Sequence, residues 1–85
     1  MEILKGKEVK ELLSIAKERV INNVPSGTDF KVRDLFVGFL WDQVDSGIRK
    51  KLGMYFYVWA DSEGSSYVSI GPKSTSGQQL YTRIR

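Results

Sequence analysis

The chain has 85 residues, 41% hydrophobic and 27% charged, with a net charge of +3 and neither cysteine nor histidine. That length supports one domain, residues 1–85, with a small core of its own, and the composition is that of a folded chain rather than a disordered one. Without Cys or His, disulfides, thiolate or imidazole metal sites and the usual proton shuttle are excluded.

No cofactor or metal is therefore expected, and no enzyme: Asp29, Asp34, Asp42 and Asp45 are spread over element ends, where carboxylates ordinarily cap. The apolar runs LFVGFLW and MYFYVWA are seven residues each, too short to span a membrane. The opening MEILKGKEVKE lacks the apolar stretch of a signal peptide. The expectation is a cytoplasmic protein with no membrane partner.

In chain order, the first element is a helix over about 7–22, where Val9, Leu12, Leu13, Ala16 and Val20 recur at helical spacing. Pro25-Ser26-Gly27 turns the chain. A short strand over about 28–32 follows, with Phe30 inward. Residues 33–44 return to a helical stripe through Leu35, Phe36, Phe39 and Leu40. Trp41 lies off that stripe and is expected to pack under the hairpin or the first helix.

Asp45-Ser46-Gly47 breaks the pattern, and Ser46 is the expected N-cap of a third helix over about 46–60. Ile48, Leu52, Phe56 and Trp59 fall on one face of it and form its buried side. Arg49, Lys50, Gly53, Met54 and Tyr57 point elsewhere, and Lys51 flanks the buried face. A helix cannot turn 55, 56, 57 and 59 all inward, so Tyr55 or Tyr57 must be exposed. Gly53, unfavourable inside a helix, is read as a helix-packing position, with close approach of a phosphate backbone as the alternative. Two alternating strands, about 65–70 and 79–84, then form a hairpin joined by the polar GPKSTSGQ. Period two places Val68 and Ile70 with Leu80, Thr82 and Ile84 inward, and Tyr67, Gln79, Tyr81 and Arg83 outward.

Helix, short strand, helix, turn, helix, hairpin is an α+β order, that of a winged helix-turn-helix: three helices, a short strand and a C-terminal β-hairpin wing. Charge location adds an independent signal. Residues 1–45 carry seven basic and eight acidic side chains, residues 46–60 three basic and none acidic, and residues 61–85 three and two. A positive excess gathered on one element suits an anionic partner, nucleic acid first. Arg49 and Lys50 are the best phosphate contacts, with Lys51 beside them and Lys73 at the hairpin tip. Tyr67, Tyr81 and Arg83, if outward, make a stacking platform for unpaired bases, and Tyr57 adds an aromatic to the helix.

The residues GTDFKVRDLF, then Trp41, then IRKKLGMYF, then Tyr81 resemble a small bacterial domain family of unknown function. It is a family of winged-helix proteins carried by Gram-positive hosts and mobile elements, among them a single-stranded-DNA binder of staphylococcal cassette chromosome elements. The resemblance covers about residues 25–84. It implies a single-strand binder in replication or transfer of a mobile element, with single-stranded DNA as partner and replication proteins of the same element as further candidates. Two alternatives stay open beside it: a duplex-binding winged-helix regulator, and a protein-interaction module without nucleic-acid binding. Strand polarity, site size and oligomeric state are left open.

Overall fold

A computed structural model describes residues 8–36 and 38–85, without the side chains of Phe39 and Leu40. Helix α1 spans Val9–Asn23. Its open N-terminus is closed by the Glu11 carboxylate, which accepts the Glu8 N–H at 3.5 Å. Residue 7, where that helix was expected to begin, and Val37 lie outside the described residues. The face of α1 bearing Leu12, Ala16 and Val20 is fully buried. The Pro25-to-Thr28 turn, with Gly27 at φ 85°, leads into strand β1, Asp29–Phe30.

The helix expected over 33–44 is not there. In its place stand a 3₁₀ turn at Val32–Leu35 and a single α-helical turn, α2, at Gly38–Trp41. Two causes are visible. The Asp34 carboxylate accepts the Lys31 N–H at 2.9 Å, a local bond that favours the tight turn over a long helix. Phe36 is then extended, φ −127° and ψ 152°, and drops its ring into the core, stacked on Trp41 at 5.2 Å. Arg19 of α1 holds this segment down: its guanidinium donates to the Leu35 carbonyl at 2.6 Å and lies over the Phe36 ring. A helix of about twelve residues is marginal unless packing favours it. Here packing favours the break.

Helix α3 spans Ser46–Ala60, the expected range. Its N-cap is Asp45 rather than Ser46, since the Asp45 carboxylate accepts the Gly47 N–H at 3.0 Å. Leu52, Phe56, Trp59 and Ala60 are its buried side. Trp59 also forms the ceiling over Gly64: a Cβ there would lie 2.6 Å from the indole. Residues 63–66 form a 3₁₀ turn, so the next strand, β2, starts later than expected, at Val68–Lys73. Strand β3 is Gln79–Arg83.

The three strands are antiparallel in the order β1-β3-β2, with Phe30 opposite Tyr81 and Ile70 opposite Tyr81 on the other side. A register irregularity between Ile70 and Lys73 accommodates Pro72, which can give no ladder N–H and sits on the edge strand.

The facing of β3 reverses the expectation. Tyr81 is 1% exposed and Arg83 7%, whereas Ile84 is exposed and Thr82 gives its hydroxyl to Asp29 at 2.7 Å. Tyr81 stacks on Phe30 at 5.7 Å and meets Phe56 edge-on at 4.9 Å, which ties the sheet to α3. Arg83 is buried because α1 ends without a glycine cap and leaves carbonyls in need of donors. Its Nε donates to the Val20 carbonyl at 3.1 Å and its Nη2 to that of Ile21 at 3.5 Å. Nη1 donates to the Tyr67 carbonyl at 3.2 Å. A cation at a helix C-terminus also suits the helix dipole.

Among the described residues no helix is long and apolar enough to cross a membrane.

Candidate functional site

The core side of α3 leaves the opposite stripe free: positions 46, 49, 50, 53, 54, 57 and 58 recur at three- and four-residue steps and form one wall of a groove. The hairpin supplies a second set through Lys73, Gln78, Gln79 and Tyr81. The segment after β1 supplies Lys31, Val32 and Arg33, with Trp41 beside them. The groove encloses about 910 Å³.

Its electrostatics are one-sided. Lys31, Arg33, Arg49, Lys50 and Lys73 line it, and among the described residues no Asp or Glu does. Of the acidic residues nearest in sequence, Asp29 is engaged by Thr82, Asp34 by the Lys31 N–H and Asp45 by the Gly47 N–H, while Asp42, next to Trp41, is exposed and outside the groove lining. Within the same groove Met54 is 62% exposed and Tyr57 43%, with Val58 also open. Large apolar side chains left to water inside a cationic cleft mark a contact surface rather than a solvated face.

Tyr81 lies at the base of the groove. Burial, with Tyr57 nearby adding to the effect, pushes its phenol up to about 12, so it stays neutral throughout the physiological range. Beside it stands Gln78, whose amide oxygen is buried with no hydrogen-bond partner among the described residues. The hairpin tip is fixed by its own bonds. Gly77 takes φ 85°, the Ser74 N–H donates to the Gln78 carbonyl at 2.7 Å, and the Gln78 N–H to Ser74 Oγ at 3.1 Å. Lys73 and Gln78 are therefore held, not left on a loose loop.

Of the eight residues singled out from the sequence, Arg49, Lys50, Tyr57, Lys73 and Tyr81 line the groove. Lys51, Tyr67 and Arg83 do not. Lys51 is an exposed residue of α3 outside the groove stripe. Tyr67 has its ring under the Arg83 guanidinium, 5.5 Å from the centroid. The two tyrosines thus do not form a shared stacking platform: the Tyr81 ring is in the core, while Tyr67, 36% exposed, stands away from the groove with the Arg83 guanidinium over its ring. Tyr55 and Tyr57 are both exposed, but only Tyr57 lines the groove. Trp41 is buried, with its ring stacked on Phe36.

Gly53 also departs from expectation. A Cβ on it would meet nothing within 4 Å, so no helix packs there; the open space is the groove itself. Lys31 and Arg33 were missed because the segment carrying them sums to a negative charge. The signal was available in KVRD, two cations in a strand-to-turn segment whose flanking acids, Asp29 and Asp34, are both engaged in bonds of their own.

Three comparisons bear on this arrangement. A structure of the nucleic-acid-binding protein LP1413 of SCCmec type IV superposes with a TM-score of 0.69 at 19% identity, covering 95% of this chain and 92% of that one. At that identity the likeness is one of fold. No curated protein matches the sequence. The family model for a domain of unknown function, DUF1413, matches residues 15–83, nearly the whole described fold, and the chain belongs to that family.

Proposed function

We propose that the protein binds single-stranded DNA in the groove between α3 and the hairpin, largely without regard to sequence. The observation that carries this is the combination in one cleft, among the described residues, of five cations, no carboxylate, and an exposed strip of Tyr57, Met54 and Val58. Cations track a phosphate backbone, while apolar and aromatic surface takes bases that are not paired. The likeness in fold to a protein described as nucleic-acid-binding supports the same reading. That protein's SCCmec origin supports a role in replication or transfer of a mobile element. The function is binding rather than catalysis.

In this reading the domain is a winged helix-turn-helix whose second helix is cut to one turn, with α3 as third helix and β2–β3 as wing. A duplex reader needs its third helix free to enter a major groove and needs long polar side chains aimed at base edges. The outer stripe of α3 instead faces a cleft shared with the hairpin, and beyond Arg49 and Lys50 it offers Gly53, Met54, Tyr57 and Val58. Those residues suit stacking and close approach.

Fluorescence anisotropy with a labelled oligonucleotide, alone and annealed, across a salt series tests the proposal. The single strand should bind more tightly, and log Kd should change with log salt with a slope of about 3 to 4, roughly 0.7 for each of five cations. Tighter binding to the annealed form would make the protein a duplex regulator. Binding to neither at low salt would leave a protein-interaction module.

A further inference from the structure

We propose that the groove contains a base-stacking slot centred on Gly53, bracketed by the Arg49 guanidinium and the Tyr57 ring. The proposal rests on the single-strand reading and names where the bases sit. Arg49, Gly53 and Tyr57 stand at i, i+4 and i+8 along the groove side of α3, each turned about 40° from the one before. At a rise of about 1.5 Å per residue the outer two leave the helix about 12 Å apart. Glycine leaves that interval empty. Bases stack about 3.4 Å apart, so one or two fit between a guanidinium plane and a phenol ring.

The protein gives no other reason for glycine at this position. Gly53 is within a regular helix, so no left-handed backbone requires it, and nothing lies within 4 Å of where a Cβ would be. Any other residue except proline would make a better helix there. The flanking groups are also open to the groove. Tyr57 is among the exposed large side chains, with its phenol close enough to Tyr81 to help raise that group, and among the described residues neither its ring nor the Arg49 guanidinium takes part in a ring contact, hydrogen bond or ion pair. Arginine and tyrosine both stack on base faces, through cation–π and π contacts that every base can make. Met54 and Val58 cover the slot from the side.

The test compares an oligothymidylate with an abasic phosphodiester strand of equal length, using the full chain and its Gly53→Ala and Gly53→Leu variants. The unmodified protein should prefer the base-bearing strand by about 5- to 150-fold, the range for one stacked base. Gly53→Leu should abolish that preference and leave affinity for the abasic strand unchanged. Gly53→Ala should raise the unfolding temperature yet weaken binding of the base-bearing strand, a pairing that a merely structural glycine would not produce. Circular dichroism of Gly53→Leu checks that it folds, and Gly53→Ala carries the test if it does not. Equal affinity of the unmodified protein for both strands overturns the slot while leaving a phosphate-binding groove. A full preference retained by either folded variant overturns it too. Binding to neither strand overturns the single-strand reading and the slot with it.

Discussion

The two sides of α3 make opposite demands on the same fifteen residues. Inward, Leu52 and Phe56 are completely buried, and Phe56 touches Phe30, Trp59 and Tyr81. Outward, Gly53 and Tyr57 touch little, in a cleft with five cations. Two glycines make the contrast sharper. Gly64 is glycine because the Trp59 indole fills the space a Cβ needs, whereas Gly53 has that space empty. One glycine serves packing. The other serves what comes from outside.

Substitutions can break this contrast, beginning where the expected effect is largest. Phe56→Ala should cost about 3–5 kcal/mol, measured by urea unfolding, and a small domain with that loss will barely fold. Tyr57→Ala, one residue on, should stay within about 0.5 kcal/mol of the original stability while losing about 1–3 kcal/mol of single-strand affinity. If Tyr57→Ala unfolds the protein, the two sides are not independent.

Arg83→Met should cost about 2–3 kcal/mol, since three carbonyls lose a charged donor. The slope of affinity against salt should not change, because this arginine faces the core. An equal cost to stability and to the salt slope would place Arg83 in contact with the ligand after all.

Tyr81 gives a pH test. Its phenol is pushed up to about 12 in the folded chain, against about 10 when unfolded. Folding is thus fully favoured below pH about 10, and the contribution is lost as pH rises from about 10 to about 12, up to roughly 2–3 kcal/mol. Tyr81→Phe should lack that extra loss in alkaline unfolding. In an absorbance titration one phenol should ionise only near pH 12, and that step should be missing in Tyr81→Phe. The smallest effects separate neighbouring lysines: Lys50→Gln should lower the salt slope by about 0.7, and Lys51→Gln should leave it unchanged.

What could be read from the sequence was set by local periodicity. The range of α3 and its buried stripe followed from spacing alone, as did the placing of Arg49, Lys50 and Tyr57 on its other side. Period two in β3 is equally clear, yet the face it marks as inward is the outward one. Leu80, Thr82 and Ile84 are the more apolar set, and only the distant C-terminus of α1, with its uncapped carbonyls, explains why an arginine goes inside instead. The break within 33–44 depends likewise on Arg19 and on where Phe36 finds its partners. Lys31 and Arg33 were hidden by summing charges over a segment, because Asp29, Asp34 and Asp45 count in the sum but are engaged in bonds of their own. Local pattern gave the elements; contacts far apart in the chain decided which way they face.

The strand order β1-β3-β2 has a consequence for how the domain comes into being on the ribosome. The middle strand is the last of the described elements to be made. Until it emerges, β1 and β2 have no hydrogen-bonding neighbour, Phe30 and Phe56 lack the ring that joins them, and α1 waits with its last carbonyls unanswered. Helices can form early and locally, but sheet closure spans more than fifty residues and must come late. A nascent chain halted before residue 79 would hold two helices and two open strand edges, a form for chaperones and proteases to find.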